Sequence, residues 1–334
     1  MAYPFSLPHP DHQMADRKDP IMSHINLSKS LPSLPFNVKA LRYTQFNSPV
    51  VRALLSRLYR PGSTYRIIFG PLRGLRMHYD QSINFHAVLG LWEAEIFDIL
   101  NAVFVKHGLL PNDAIIADVG ANIGYYSMWF STVLAPHGRV YSFEPSPQIA
   151  HIFKGNLCVN GIQNTEVIES ACGAEVGTAE FFIAEHHHAS SLHYDWASAG
   201  TGRARATRVR VTSLDAFFAS DTHRQPPAFI KMDIEGGGTH ALPGCRALLQ
   251  TARPYLLIES HTVDEDRAIS RVLTEHQYRA YRLNDRQWVT EPSAVHPTKD
   301  GVWGTMLLMP EENYAAVAQA IAPFHKRKSA RRAS

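Results

Sequence analysis

Two acids placed near the ends of two successive apolar runs are the first residues in this sequence whose type and spacing suggest chemistry. Asp118 lies in the run Ile115 to Val119, two positions before Gly120, with Ala121, Asn122 and Gly124 after it, while Glu144 closes the next run, "RVYSFE". Glycines let a backbone turn tightly and pass close to a ligand, and a helix starting after them points its N-terminus into that space. A phosphate loop would need the lysine and hydroxyl of G-x-x-x-x-G-K-[ST], and a dinucleotide fingerprint would need glycine where Asn122 stands. Neither pattern is met. A carboxylate after the first run is poorly placed for a diphosphate but suits the ammonium of an amino acid moiety. An acid after the second run suits the two hydroxyls of a ribose. Ammonium, ribose and close backbone approach together describe S-adenosylmethionine. Taken singly, Asp118 could cap the next helix and Glu144 could be a surface carboxylate; the ordered pair is what carries the reading.

A second group of ionisable residues follows two later apolar runs. Asp233 and Glu235 come after "AFIKM", and Glu259 and His261 come at the end of "YLLIES" and just beyond it. Methyl transfer from a sulfonium is an in-line displacement that needs the acceptor oxygen held near the methyl carbon, and a base if that acceptor is an alcohol. Asp233, Glu259 and His261 are therefore the catalytic candidates, with Asp233 or His261 as proton acceptor; each could instead bind substrate or cofactor. Asp233 and Glu235 could also share a divalent cation, but two carboxylates leave the metal question open. His186, His187, His188 and His193 of "AEHHHASSLHYDW" have no spacing that would unite them as ligands, and this stretch reads as a polar, mobile insertion over the site. "QPPAF" precedes its strand, which excludes the role of the N-P-P-Y signature found in enzymes that methylate amino groups of nucleic-acid bases.

The elements that must position these residues alternate. After a proline-rich stretch (residues 1–40) that reads as extended or disordered, Val51, Leu54, Leu55 and Leu58 recur at helical spacing, "YRIIFGPLRGLRMHYD" reads as a hairpin, and Ile96, Leu100, Val103 and Phe104 share one face of a helix closed by Gly108. From Ile115 apolar strands and helices take turns: "RVYSFE", "TEVIESA", "AFIKMD" and "YLLIES" as strands, with helices from about Gly124, over "PQIAHIFKGNLCVNG", through "THALPGCRALLQ" and from Asp264 to His276. "YRAYRL" and "VWGTMLLM" close the set. The fold class is thus α/β, a mostly parallel, doubly wound Rossmann-like sheet, whose ligands sit beyond the carboxyl ends of the strands. Four regions follow: 1–40, an accessory helix, hairpin and helix over 41–110, a catalytic domain over 111–310, and a C-terminal helix with a basic tail over 311–334.

Composition sets outer bounds. The chain has 334 residues, 45% hydrophobic and 19% charged, which fits a globular protein with a sizeable core. Prolines break the first forty residues and no long apolar run occurs, so neither a secretory signal nor a membrane span is expected and the cytoplasm is the default location. Cys158, Cys172 and Cys245 show no metal or disulfide spacing. The formal charge of +3 becomes −2 once the five cations of "HKRKSARRAS" are set aside, so basicity belongs to the tail. A specific nucleic-acid groove is therefore not expected, whereas contact of the tail with an anionic membrane is an open possibility.

The successive stretches "DVGANIGYYS", "FEPSPQIAHIFKGNLCVNG", "VTSLDAFF", "IKMDIEGGGTHALPG" and "LLIES" resemble the signatures of the FkbM-type methyltransferases, over about Gly70 to Met309. The resemblance implies a seven-stranded S-adenosylmethionine-dependent enzyme. It maps Asp118, Gly120, Ala121, Asn122 and Gly124 to the methionine end of the cofactor and Glu144, with Pro145 and Ser146, to its ribose, with Ala171, Asp233 and Glu235 nearby. "LGLWEAE" is similar to the family's G-x-x-E, which makes Glu93 a candidate for the pocket's floor or lid, or else a helix N-terminal acid. One departure stands out: the family reads K-x-D-x-E-G-A-E, and here Gly238 replaces the last acid. The implied activity is O-methylation of a hydroxyl on a sugar, glycolipid or secondary metabolite, with a small-molecule or glycan acceptor. A nicotinamide-dependent oxidoreductase, and a cofactor-binding protein without turnover, are the competing readings.

Overall fold

The computed structural model describes residues 58–79, 85–134, 136–184, 190–192, 197–198, 204–292, 295 and 304–331. The proline-rich segment, nearly all of the helix proposed from Val51, and the four histidines of the insertion lie outside the described residues. Strands β1 (Thr64–Arg66) and β2 (Arg76–His78) form the expected antiparallel hairpin. Asn156 and Asn160, on the helix Pro147–Val159 and at its end, bind the β2 backbone, accepting from His78 and Arg76 N–H, and so fasten this hairpin to the main domain.

The main sheet contains β3 (Ile115–Val119), β4 (Arg139–Phe143), β5 (Thr165–Ile168), β9 (Phe229–Met232), β10 (Tyr255–Ser260), β11 (Tyr278–Arg282), β12 (Gln287–Trp288) and β13 (Gly304–Pro310). Their order is β12-β11-β13-β10-β9-β3-β4-β5. β5, β4, β3, β9 and β10 run parallel, and β13 inserts antiparallel between β10 and β11. The described sheet thus has eight strands, not seven, because the chain after β11 turns back at once and adds Gln287–Trp288 to the edge.

Alternate residues of each strand feed two cores. Ile116, Val140, Phe229 and Leu257 meet Trp129, Phe130 and Phe153 on one face, whereas Ala117, Phe143, Ile230 and Ile258 meet Leu249, Ile269 and Val272 on the other. Burying a side chain such as Phe130 or Phe153 completely stabilises the fold by about 2–3 kcal/mol. The helices start where the sequence supplies a cap. Ser146 Oγ accepts from Ile149 N–H, Ser213 Oγ from Ala216 N–H, and Thr262 Oγ1 from Glu265 N–H.

Two expectations are corrected here. The third strand stops at Ile168, the sheet edge, and Ala171–Cys172 (β6) instead joins β7 (Gly177–Ala184) and β8 (Ala204–Thr212) in a separate sheet of order β6-β8-β7. The interruption between the third and fourth strands is therefore largely an antiparallel ribbon; the alternation "RVRVT" in β8 is its sequence signal. The helix expected through "THALPGCRALLQ" is broken into Gly238–Ala241, a 3-10 turn Leu242–Cys245 and Arg246–Thr251, since Pro243 cannot continue the ladder. Asp215, from "VTSLDAFF", accepts from Ala247 and Leu248 N–H at the last of these helices, so its role in that motif is to hold the fold.

Candidate active site

The sheet register explains which side chains meet. Asp118 lies opposite Ser142 on β4 and Lys231 on β9, and neighbours in a parallel register point to the same face. Lys231 Nζ sits 3.5 Å from Asp118 Oδ1 and 3.6 Å from Asp233 Oδ2, and donates to the carbonyl of Gly120 at 2.9 Å. One buried ammonium therefore ties the first strand, the glycine turn and the end of the fourth parallel strand together. Burial pushes its pKa down, but the surrounding carboxylates, Asp118 first, more than offset this and leave it raised. Lys231 was not among the expected site residues. It is the first residue of the K-x-D-x-E-G stretch, but its role comes from the pairing of β3 with β9, which one sequence does not display.

Asp118 itself is fully enclosed, with Ser127 Oγ donating to Oδ2 at 2.5 Å and Lys231 on the other oxygen. Direct contact with a ligand's ammonium, as expected from its position, does not fit this arrangement. Its charge instead fixes Lys231, which fixes the turn. The glycines also serve the protein more than a ligand. A Cβ at Gly120 (φ +74°) would lie 1.9 Å from the carbonyl oxygen of Asp233, and one at Gly124 (φ +87°) would lie 2.0 Å from the Phe153 ring. Ala121 is buried, and both its N–H and that of Gly120 donate to the Phe143 carbonyl.

Glu144 is presented by that turn. Its Oε2 accepts from Asn122 N–H at 3.0 Å and its Oε1 from Ser146 N–H at 2.8 Å, next to half-buried Pro145. Each carboxylate oxygen keeps capacity for one more donor. Burial is the main cause of its carboxyl being pushed up to about 7, against the two backbone hydrogen bonds. Ala171 does not join the carboxylates; it packs against Phe181 and Val209 in the small sheet.

At the carboxyl ends of β9 and β10 the catalytic candidates converge on one imidazole. His261 Nε2 stands 3.4 Å from Glu235 Oε2, 3.7 Å from Glu259 Oε1 and 3.8 Å from Asp233 Oδ1. The His261 side chain is 2% exposed, while the three carboxylates keep 20–32%. Burial, then Asp233, Glu93 and Glu235, push the Glu259 carboxyl up to about 10. Glu93 belongs to the same neighbourhood: it accepts from Tyr126 Oη at 2.5 Å, and burial first, then Asp233 among its neighbours, pushes it up to about 7. Glu93 stands at the N-cap of the helix Ala94–Leu100, as a helix N-terminal acid would, but its side chain makes no cap hydrogen bond and is taken by Tyr126 beside the carboxylates. Of the six non-glycine residues with left-handed backbone among the described residues, three are Glu93, Asn122 and Glu235. Such conformations cost about 1–3 kcal/mol each and concentrate where function demands them.

A carboxylate from another element stands where a side chain on residue 238 would lie. Glu265, in the first turn of the helix Val263–Glu275, accepts from Gly238 N–H at 2.9 Å and from His261 N–H at 2.7 Å, and its Oε2 lies 3.8 Å from His261 Nδ1. A Cβ on residue 238 would come within 2.8 Å of its Oε1. Ser191, beyond β7, reaches the same turn and donates to the Glu235 carbonyl at 2.7 Å, so the ribbon borders the site. Sequence reasoning named neither residue.

A doubly wound sheet with acids gathered at the carboxyl ends of adjacent parallel strands is a Rossmann-like architecture. Residues 118–283 match the family model described as the methyltransferase FkbM domain, and over that span the chain belongs to the FkbM methyltransferases. Among solved structures, methyltransferase FkbM from Methylobacillus flagellatus KT is similar at 18% identity and a TM-score of 0.40, covering 68% of this chain and 55% of that one. A SAM-dependent O-methyltransferase from Thermotoga maritima aligns at 9% identity and a TM-score of 0.35, covering 63% and 64%. The curated AMB antimetabolite synthetase AmbE of Pseudomonas aeruginosa is 42% identical over 64 residues, which are 19% of this chain and 3% of that protein. The chain thus spans about half of the first structure and a small fraction of the synthetase. No described helix is long and apolar enough to cross a membrane, and the three cysteines are free thiols.

Proposed function

We propose that the chain transfers the methyl group of S-adenosylmethionine to a hydroxyl oxygen of a small-molecule or glycan acceptor, such as a sugar, glycolipid or secondary metabolite. The observation that carries this reading is the convergence of Asp233, Glu235, Glu259 and His261 beside the glycine turn that presents Glu144. The residues present fit the cofactor. Glu144 has oxygens free to accept from two ribose hydroxyls, and the half-buried acids Glu93 and Asp233 favour a cationic group over a diphosphate. When bound, the cofactor supplies a methyl group on a positively charged sulfur. Glu144 would hold the ribose, and Glu93 with Asp233 would face the cationic end. Asp233, Glu259 and His261 would orient the acceptor hydroxyl, with Asp233 or His261 taking its proton if no cation intervenes. The oxidoreductase reading is disfavoured by the same acids and by Asn122. The reading without turnover draws its motive from Gly238, the glycine in place of the motif's last acid, and Glu265 brings a carboxylate to that glycine.

Thermal unfolding with S-adenosylhomocysteine, and separately with NAD, tests the proposal. A ligand of the folded state at about a hundred times its Kd adds roughly 2.7 kcal/mol. A midpoint raised by S-adenosylhomocysteine and not in Glu144→Ala supports the reading; stabilisation by NAD alone refutes it. Methyl transfer to hydroxylated acceptors, followed by mass, then identifies the acceptor.

A further inference from the structure

We infer that Asp233, Glu259 and His261 form a binding site for one divalent metal ion, which would hold and acidify the acceptor hydroxyl; this rests on the methyl-transfer reading only for its purpose, not for the binding itself. Each residue offers one donor atom, and these atoms lie within 4.8 Å of one another. His261 Nε2 is 3.8 Å from Asp233 Oδ1 and 3.7 Å from Glu259 Oε1. An ion with bonds of about 2.1 Å places neighbouring donors roughly 3.0 Å apart and opposite donors roughly 4.2 Å apart, so these separations need only small adjustments.

The donor set is more than a group of surface acids. A nitrogen of a buried imidazole is aimed among carboxylates, and the ring is backed on its other side by Glu265, whose Oε2 is 3.8 Å from Nδ1 and accepts from the His261 backbone N–H. At 3.8 Å Glu265 is near Nδ1 without a hydrogen bond to it; a shift of a few tenths of an ångström would let it accept from that ring nitrogen, as the carboxylates that orient metal-binding imidazoles do. All of these groups come from the ends of β9 and β10 and the segment leading into the next helix, so the sheet holds them in place. The partial exposure of Asp233 and Glu259, against that of His261, leaves the open coordination positions toward solvent, where an acceptor would arrive. One imidazole with carboxylates suits a hard or borderline ion such as Mn²⁺ or Mg²⁺ better than a thiophilic one.

An ion held there would acidify the O–H of a bound acceptor, and Glu235, the remaining carboxylate, 3.4 Å from His261 Nε2, would take its proton. The new C–O bond then forms as the C–S bond breaks, with that bonding pair left on sulfur. No oxidant or further reactant is required.

The test uses the untagged full chain, stripped with a chelator and titrated with Mn²⁺ while the signal of free Mn²⁺ is followed by electron paramagnetic resonance. We expect saturable binding of one ion per chain, weakened at least tenfold in His261→Ala and in Glu259→Gln, and unchanged in the triple variant His186→Ala, His187→Ala, His188→Ala. Absence of saturable binding, or binding unaffected by His261→Ala and Glu259→Gln, or binding lost in the triple variant, overturns the inference. Stabilisation by S-adenosylhomocysteine is measured on every sample. Its retention in the site variants shows that they fold, and its absence in the wild type refutes the methyl-transfer reading while leaving the metal result to stand by itself.

Discussion

Replacing Gly238 by alanine should change the sign of its effect according to what occupies position 265. Residue 238 opens a helix and is not among the glycines with positive φ, so alanine there is favoured by backbone entropy by up to about 1 kcal/mol. In the native protein, however, the new Cβ would come within 2.8 Å of Glu265 Oε1. That oxygen cannot simply swing away. Glu265 is buried, and moving it breaks its hydrogen bonds from Gly238 and His261 N–H. A buried donor left without a partner costs about 1–3 kcal/mol, so Gly238→Ala should destabilise the native chain by about 1–3 kcal/mol. Glu265→Ala orphans both donors and opens a small void, for a loss of about 2–5 kcal/mol. In that background Gly238→Ala meets no oxygen and should be neutral or stabilising. The double variant is then expected to be more stable than the sum of the singles predicts by about 1–3 kcal/mol. Urea unfolding of the four proteins, with unchanged slopes, measures this coupling. Additivity to within about 0.5 kcal/mol would refute the claim that Glu265 occupies the place of an acid at residue 238.

Three further outcomes follow from the same geometry. Because burial holds the Glu144 carboxyl at about 7, its contribution to the stability of the ligand-free protein is fully present below the ordinary carboxylate range and is lost as pH rises through about 7. Ribose hydroxyls need the ionised form, so calorimetric affinity for S-adenosylhomocysteine should fall up to tenfold per pH unit below 7 and level off above it; a flat profile, or one unchanged in Glu144→Gln, counts against the assignment. Lys231→Met leaves Asp118 and Asp233 facing each other without their cation and should cost about 3–5 kcal/mol in chemical unfolding, much of it recovered in Lys231→Met with Asp118→Asn. Gly120→Ala and Gly62→Ala both force alanine into left-handed backbone, at about 1–2 kcal/mol, but only residue 120 faces a backbone oxygen 1.9 Å away while residue 62 faces open space. Thermal midpoints should therefore separate the two variants widely, and equal losses would show that the Asp233 backbone yields.

Much of the site is visible in the sequence because an α/β sheet places function at strand ends. Each apolar run that ends in an acid, Ile115 to Asp118, "RVYSFE", "AFIKMD" and "YLLIES", marks such an end, and the strands form within a residue or two of those runs. What the runs do not encode is which strand lies beside which. Lys231 stands in the sequence only as the first residue of a K-x-D-x-E-G stretch; with β9 laid against β3 it becomes the counter-charge of Asp118 and donates to the Gly120 carbonyl, 111 residues earlier in the chain. The same holds for glycine. Gly120 and Gly124 look like openings for a ligand, yet their missing side chains are replaced by the Asp233 carbonyl and the Phe153 ring, neighbours that only the assembled sheet supplies. Glu265 is the sharpest instance. In the sequence it is one of three acids in the first turn of a helix, a position that the helix dipole alone explains. Only the packing of that turn against Gly238 makes it the carboxylate that the glycine motif lacks. An acidic motif can therefore keep its charge in space while losing it in sequence, provided that a glycine opens the room and a second element delivers the carboxylate.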